Sequence, residues 1–548
     1  MMIKMTVPES GAESQPAADA ENRQATGAES RQATGAESQP AAGAESRAAA
    51  SEAGRCLAFS ESCPVLFELG SAGASAACLG ASDVPAADLA EALPGSLVFD
   101  EPPVLPEIAE PDLVRHYTRL SRRLFSVDGN FYPLGSCTMK YNPRVNERAA
   151  AMPGFAGLHP FQDDADVQGL LELLYRLRRF LEEIAGLSEV TLQPSAGAQG
   201  EMTGLMVINA YHRSRGEHRP KVLTPDSAHG TNPASCAICG RQACSVKSRA
   251  DGRVDLDNLR RQVDERTAAL MITNPNTVGV FDEQIGDIAE IVHAKGAQLY
   301  LDGANMNALL GIARPGQFGV DAMHYNTHKT FSTPHGCGGP GSGPVGVAEH
   351  LRPFLPVPQV VRNDDGTYRW DDDRPDSIGK VRSFYGQTGV LVRAYAYIRS
   401  LGADGLKKVS ETAVLSANYL AARLKARFDL PFPAPYAHEF VLLPRLREGV
   451  SETDVAKRLI EFGFHPPTMS WPIAHCLMIE PTETESRATL DAFADAMNAI
   501  ADEIEHNPQR VKSAPQNMPV QRVDEVAAAR RPVVRWPDGS GRNDAKTG

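Results

Sequence analysis

Leu299-Tyr300-Leu301-Asp302-Gly303-Ala304-Asn305-Met306-Asn307 and His324-Tyr325-Asn326-Thr327-His328-Lys329-Thr330-Phe331 are the two pieces of sequence that decide the fold. The first is a short apolar run that closes on an acid, as a buried strand bounded by a turn does. The second is a polar loop with a single lysine beside a histidine, and a glycine-rich run, Gly336-Cys337-Gly338-Gly339-Pro340-Gly341, follows it. An acid at a strand end with a lone lysine further along suits an enzyme that holds pyridoxal phosphate. The lysine condenses with the cofactor's aldehyde, and the acid keeps the ring nitrogen protonated. Asp302 and Lys329 are the expected catalytic pair; the plainer reading is a capping aspartate and a surface lysine.

Upstream, short apolar runs alternate with helical patterns. VTLQ at 190–193, KVLTP at 221–225, AALMITNPN at 268–276 and QLYLDG at 298–303 read as strands, and the segments at 200–216 and 285–296 as helices. This alternation implies an α/β fold, a mostly parallel sheet with crossover helices, and a ligand at the carboxyl ends of the strands. Ser195-Ala196-Gly197-Ala198-Gln199 joins a strand to a helix, and its small residues let backbone N–H groups face a phosphate. Taken alone, such a segment is just a turn. His229 follows the strand at 221–225 and can stack on a pyridine ring, or it is an ordinary loop histidine. Asn274 in Thr273-Asn274-Pro275-Asn276-Thr277 can reach the cofactor's phenolic oxygen, although Asn-Pro turns are common. The loop from Asn130 to Pro143 brings Ser136, Cys137, Thr138 and Lys140 together, and loops this polar and aromatic often line sites.

Outward from this centre, 548 residues leave room for two or three domains. A formal charge of −13 invites neither nucleic acid nor an anionic membrane. No apolar run reaches membrane-spanning length, and the N-terminus has neither the signal nor the transit pattern, so a bacterial type of cytoplasm is expected. Nine scattered cysteines make no disulfide framework. Residues 11–50 repeat units such as GAESQPAA and GAESRQAT that lack core-forming side chains, so 1–60 is expected to be a disordered tail. An N-terminal arm and active-site loop are expected at 61–145, with a helix begun by Glu110-Pro111-Asp112 whose apolar face holds Leu113, Tyr117 and Leu120. A cofactor-binding domain is expected at 146–390, a smaller α+β domain at 391–506 and a peripheral tail at 507–548.

Three patterns mislead. Gly336-x-Gly338-x-x-Gly341 fits a dinucleotide motif, but Pro340 and Pro344 interrupt any helix start there. Cys236-x-x-Cys239, with Cys244 nearby, lacks a second pair, and its spacing places two small residues on one helix face. His324, His328 and His335 have a lysine among them, which would set a cation beside any zinc. No metal is expected.

FYPLGSCTMKYNP, PGFAGLHPFQ, PSAGAQGEMTGL, PDSAHGTNPAS, TNPNTVGVFDE, LYLDGANMNALLGIARPGQFG, NTHKTFSTPHG and HPPTMSWP with MIEPTETES occur in that order. From about Phe67 to Trp536 the chain resembles the P-protein family of glycine cleavage systems, in particular subunit 2 of its two-subunit form, glycine dehydrogenase (aminomethyl-transferring, decarboxylating). The resemblance implies a fold type I, aspartate-aminotransferase-like large domain that binds pyridoxal 5'-phosphate, with a smaller C-terminal domain. It implies decarboxylation of glycine, transfer of the aminomethyl group to a lipoylated H-protein, and a subunit 1 completing an α2β2 assembly. Lys329 matches the lysine that carries the cofactor, Asp302 the partner of the ring nitrogen, His229 the stacking histidine, and Ser195, Ala196, Gly197, Ala198 and Gln199 the phosphate cup. Further cofactor contacts are expected from Thr231, Asn274, Ala304, His328 and Thr330. The substrate carboxylate has Ser136, Cys137, Thr138, Lys140 and Arg382 as nominees. Cys337 departs from the family's run of four glycines, and the repeat tail is additional to the family pattern. A stand-alone pyridoxal-phosphate decarboxylase or aldolase, and a non-catalytic regulatory subunit, are the alternatives.

Overall fold

The structure, a computed structural model, describes residues 63–76, 82–98, 105–335, 341–447 and 449–534. The repeat tail and Cys337 lie outside these residues. Helix α1 (Glu110–Ser121) starts at the expected Glu-Pro-Asp. Its inward stripe is Leu113, His116 and Leu120, while Tyr117 is 56% exposed. Tyr117 therefore falls one residue off the stripe, because positions three and four apart share a helix face and His116 takes the place after Leu113.

The loop at 130–143 runs from α1 towards α2 (Arg144–Ala150). Phe131 in this loop is buried edge-on against Phe493 at 5.1 Å. Gly135 donates its N–H to the Met478 carbonyl at 3.1 Å. A Cβ at position 135 would lie 2.3 Å from Met478 Cγ, so only glycine lets the loop lie this close.

Helix α3 (Gln168–Ala185) shows the apolar spacing expected of it, and Leu170, Leu174, Leu177 and Leu181 are all buried. It stops at Gly186, whose φ of 69° puts a left-handed residue at the helix end, a conformation glycine adopts without a Cβ penalty. Beyond it run β1 (Glu189–Thr191), α4 (Gly197–Ser214), β2 (Lys221–Pro225), α5 (Thr231–Ile238) and β3 (Gln242–Val246). Then come α6 (Leu256–Gln262), β4 (Thr267–Thr273), α7 (Ile285–His293), β5 (Gln298–Gly303), β6 (Ala322–Tyr325) and β7 (Val345–Val347). The seven strands form one sheet in the order β1-β7-β6-β5-β4-β2-β3. Its β5–β6, β4–β5, β2–β4 and β2–β3 pairs are parallel, and β7 runs antiparallel to both neighbours. Every residue of β4 and β5 is buried, as expected of central strands covered on both faces. The carboxyl ends of β2, β4, β5 and β6 consequently open on one side of the sheet, and the site is there.

Past the hairpin of β8 (Gln359–Arg362) and β9 (Tyr368–Asp371), α8 (Thr388–Leu424) carries the chain to a second core. Leu391 and Ile398 pack into the large core, and Leu420 and Leu424 into the small one. Between them Gly402 has φ 63° and ψ −174°, a conformation closed to residues with a Cβ. The expected boundary after residue 390 thus falls within the first half of α8, because two helical segments meeting at a kink at Gly402 between them serve both cores.

The second core is built on β10 (Phe428–Asp429), β11 (Phe440–Pro444), β12 (Thr468–Met469) and β13 (Leu477–Ile479), in the antiparallel order β10-β11-β13-β12. Helices α9 (Glu452–Glu461) and α10 (Arg487–His506) pack on this sheet, with Val455, Leu459, Phe493, Met497 and Ile500 inside. The expected peripheral tail does not begin at 507. Helix α11 (Pro508–Ser513) anchors Val511, fully buried, in the same core, and a single anchor leaves no periodicity to read.

Candidate active site

A cavity of about 410 Å³ sits at the carboxyl ends of the central strands, and both Lys329 and Asp302 line it. Each gets there by a short route. Asp302 is the last residue but one of β5, and Lys329 lies on the turn after β6, its N–H bonded to the Asn326 carbonyl at 3.0 Å. Lys329 Nζ donates to the Ser136 carbonyl at 2.7 Å, so the long loop at 130–143 forms one wall.

Asp302 is held by three partners. Its Oδ2 accepts from Asn232 Nδ2 at 3.0 Å, its Oδ1 accepts from the Ala304 N–H at 2.9 Å, and His324 Nε2 stands 3.3 Å from Oδ1. Burial alone would raise its pKa, but His324 and these donors hold the carboxyl below its ordinary value, so it stays ionised. Burial also lowers the pKa of His324, and Tyr300 Oη lies 2.8 Å from its Nδ1. A neutral His324 that accepts the Tyr300 hydroxyl's hydrogen bond at Nδ1 donates Nε2–H to Asp302, which orients the carboxylate. Tyr300 and His324 escaped the sequence reading. His324 was considered only as a metal ligand, and Tyr300 looked like one more apolar strand residue.

The phosphate end of the site is visible in what lacks a partner. Ala196, the N-cap of α4, is extended and provides no capping hydrogen bond, so the first N–H groups of this helix face the cavity beside Gly197 and Ala198. Along the cavity lining, Asn326 Oδ1, His328 Nδ1 and His335 Nδ1 are buried without hydrogen-bond partners among the described residues; Thr330 Oγ1 is also buried and unpartnered, but Thr330 does not line the cavity. A Cβ at Gly197 would come within 2.2 Å of Asn326 Oδ1. The first N–H groups of α4, with a histidine Nδ1 when it bears hydrogen, are the donors that suit an oxyanion here, whereas Asn326 Oδ1 is an acceptor. Ser195 and Gln199 do not line the cavity. Ser195 gives both its N–H and its hydroxyl to Gln199 Oε1, which closes the turn on itself.

His229 presents its ring to the cavity, with Trp471 edge-on against it at 5.4 Å. Burial and the charge of Lys329 lower its pKa. Its Nδ1 is 3.0 Å from Thr231 Oγ1, and Thr231 in turn is 2.6 Å from Glu201 Oε1. Glu201 was not singled out in the sequence, where it reads as an ordinary residue in the first turn of a helix. Here it is almost fully buried, and burial followed by the charge of Asp302 pushes it up to about 7. Thr231, Ala304 and His328 line the cavity as expected, together with Thr273, Thr277 and Asn305.

Four expected contacts go elsewhere. Asn274 exchanges hydrogen bonds with the backbone of Asp282, which fixes the turn after β4, and it does not line the cavity. Lys140 is buried, and its Nζ donates to Glu483 at 2.7 Å, Asn307 at 2.9 Å and Tyr397 at 3.1 Å, so it is structural. Thr138 Oγ1 donates to Glu480 Oε1 at 2.5 Å. Arg382 is not among the lining residues, although its neighbour Val381 is tied to Gln199. Of the nominees for the substrate carboxylate, the cavity has only Ser136 and Cys137. Ser136 is held in turn by Glu439, whose Oε2 accepts its N–H at 2.7 Å and whose Oε1 accepts from Asn305 at 3.1 Å. Cys236 is buried on α5 against Met271, and its thiol is pushed up to about 12 by burial, so it has no thiolate for redox or metal chemistry.

Residues 409–522 match the family model of the glycine dehydrogenase C-terminal domain, and residues 201–340 match that of class-V aminotransferases. The probable glycine dehydrogenase (decarboxylating) subunit 2 of Bacillus licheniformis is 56% identical over 477 residues, covering 86% of this chain and 98% of its own. The protein of the same name from Chlorobium chlorochromatii is 54% identical over 476 residues, covering 86% and 99%. A solved glycine decarboxylase (P-protein) of the glycine cleavage system, in inhibitor-bound form, superposes with a TM-score of 0.65 at 22% identity, covering 75% of this chain and 94% of that one. A sphingosine-1-phosphate lyase from Burkholderia pseudomallei gives 0.57 at 16% identity, covering 76% and 97%. These two likenesses are of fold.

Proposed function

From the premise that the chain belongs to the glycine dehydrogenase (decarboxylating) subunit 2 family, we propose that Lys329 carries pyridoxal phosphate in a cavity where glycine is decarboxylated. The family is one of pyridoxal-phosphate enzymes of glycine cleavage. When bound, the cofactor supplies a protonated ring that accepts the electrons left as the carboxylate departs. The observation that carries the assignment is that Lys329, Asp302 and the uncapped start of α4 all open on one cavity.

Each residue has its task. The first N–H groups of α4, around Gly197 and Ala198, hold the phosphate, where the positive end of a helix favours negative charge. Asp302, ionised and oriented by His324 and Asn232, holds a proton on the pyridine nitrogen. His229 covers one face of the ring. Ser136 and Cys137, which also line the cavity, are placed to fix the glycine carboxylate. Lys329 Nζ would hold the cofactor, giving up its hydrogen bond to the Ser136 carbonyl to do so.

The released CO₂ leaves an aminomethyl group that passes to the lipoyl disulfide of an H-protein; one sulfur takes the carbon and the other takes a proton. The name "subunit 2" among the relatives supports a separate subunit 1, in an α2β2 assembly. No helix of the described residues is long and apolar enough to cross a membrane, and a cytoplasmic setting suits the reaction.

Borohydride treatment of the protein mixed with pyridoxal phosphate, followed by peptide mapping, tests the assignment. The cofactor is expected on the peptide containing Lys329 and to be lost in Lys329→Ala. Label on another lysine, or glycine–CO₂ exchange that survives in Lys329→Ala, overturns it. Exchange that ignores a lipoylated carrier would instead favour a stand-alone decarboxylase.

A further inference from the structure

Glu201 has an uneven set of partners. Two donors converge on its Oε2, Asn232 Nδ2 at 3.0 Å and Ser235 Oγ at 3.1 Å, whereas among the described residues Oε1 meets only the Thr231 hydroxyl at 2.6 Å. A hydroxyl has one hydrogen to give. If Glu201 is ionised, Thr231 gives that hydrogen to Oε1, and His229 Nδ1, 3.0 Å away, donates its own to Thr231. If Oε1 carries a proton, Glu201 donates to Thr231, and the Thr231 hydroxyl donates to Nδ1. The Nδ1 lone pair is then shared between that hydroxyl and the backbone N–H of Thr231, 3.3 Å away. The hydrogen of the neutral imidazole moves to Nε2, which has no hydrogen-bond partner among the described residues on a ring that lines the cavity.

We propose that Glu201 is a positioning residue whose proton, relayed through the Thr231 hydroxyl, decides which nitrogen of His229 bears hydrogen, and so whether His229 offers the cavity a donor or an acceptor. The proton-bearing state offers Nε2–H, which suits an anionic group such as an α-amino-acid carboxylate. The ionised state offers a lone pair. The same carboxyl reaches Asp302 through Asn232, whose Nδ2 contacts both acids, so one residue links the two sides of the site.

The surroundings favour a proton on Glu201 near neutral pH. Burial and the charge of Asp302 oppose its ionisation. The other ionisable groups facing it are Tyr300 on β5, His324 on β6 and Cys236 on α5, and Tyr300 and Cys236 stay protonated. Strands β4 and β7, also packed on α4, carry no ionisable side chain, and the turn at 349–354 meets the far end of α4 at Tyr211.

This inference rests on His229 facing the cofactor cavity, but its test needs no cofactor. Infrared pH-difference spectra of the full chain without pyridoxal phosphate are expected to show a carboxyl C=O band lost between acid and alkaline pH, and Glu201→Gln should remove it. The ¹⁵N resonances of His229, assigned with His229→Asn, should show Nε2–H at acid pH and Nδ1–H at alkaline pH in wild type. Glu201→Gln, whose amide donates as the protonated acid does, should keep Nε2–H throughout. Thr231→Val should retain the infrared band and lose the tautomer change. A band untouched by Glu201→Gln, or a tautomer change that survives Thr231→Val, overturns the proposal. Pyridoxal phosphate that fails to bind wild type would sink the cofactor assignment and leave these spectra to decide the relay.

Discussion

Lys329 Nζ and the Ser136 carbonyl are 2.7 Å apart, although 193 residues separate them in sequence. Ser136 has a φ of 63°, a conformation that costs a non-glycine residue about 1–3 kcal/mol, and the surroundings over-determine it. Gly135 is fixed on Met478, the Ser136 N–H on Glu439, and Thr138 on Glu480. The partner of the lysine is thus set by the small domain.

Gly135→Ala should displace that loop, because its Cβ would sit 2.3 Å from Met478 Cγ and 2.6 Å from the Met478 carbonyl oxygen. We expect glycine–CO₂ exchange to fall at least about tenfold, or about 1.4 kcal/mol, and stability to drop by about 1–3 kcal/mol from overpacking. Wild-type exchange at unchanged thermal stability would show that the loop does not position Lys329.

Lys140 offers a second test, because it sits in a motif that looks catalytic and behaves as a core residue. Removing it leaves Glu483 buried without its cation, which costs about 3–5 kcal/mol. Lys140→Met should lower chemical-denaturation stability by that much, and Lys140→Met with Glu483→Leu should recover most of it. Pyridoxal phosphate affinity of the folded protein should be unchanged in both. A single variant as stable as wild type would place Lys140 outside the buried network.

Glu439 gives the small domain a pH dependence. Burial pushes its carboxyl up to about 7, above the ordinary value of 4.5. The folded-state pKa is the higher one, so the stabilisation is complete below the unfolded value and is lost as pH rises through about 7. Between about pH 4.5 and 7 wild type should lose stability relative to Glu439→Gln by up to about 1.4 kcal/mol per pH unit, and above about 7 the difference should level off. Parallel stability curves for the two proteins between about pH 4.5 and 7 would refute this. Glu201 and Glu485, also pushed up to about 7, contribute equally to both curves and cancel in the difference.

The sequence exposed whatever repeats or clusters locally. The apolar runs of β4 and β5, the stripe of α3 and the Asp302 and Lys329 signals each depend on residues close together in the chain, and the architecture follows from their alternation. What escaped depends on contacts across hundreds of residues. Glu439 and Glu480 read as ends of strands, and only folding brings them to the 130–143 loop. Lys140 looked available because Glu483 and Tyr397 stand far along the chain. Asn274 was misplaced for a different reason: its partner Asp282 is local, but a turn that satisfies its own amide looks in sequence like one that offers it.

Tyr300 and His324 provide the last test. The Tyr300 hydroxyl, 2.8 Å from His324 Nδ1, is what makes Nε2–H point at Asp302. Burial keeps the tyrosine protonated well beyond its usual range, so it serves as a donor at every working pH. Tyr300→Phe leaves a buried imidazole nitrogen unpaired, at a cost of about 1–3 kcal/mol, and frees the ring to take the other tautomer. With Nδ1–H in place, Nε2 offers Asp302 a lone pair, and the carboxylate loses a donor that holds it ionised. Its pKa should rise, and its grip on a protonated pyridine nitrogen should weaken. Pyridoxal phosphate dissociation measured by fluorescence should increase roughly fivefold to a hundredfold, which converts to about 1–3 kcal/mol. The loss should be greater at acid pH, where the weakened carboxylate protonates first. Unchanged affinity across the pH range would mean that Asn232 and the Ala304 N–H suffice to orient Asp302.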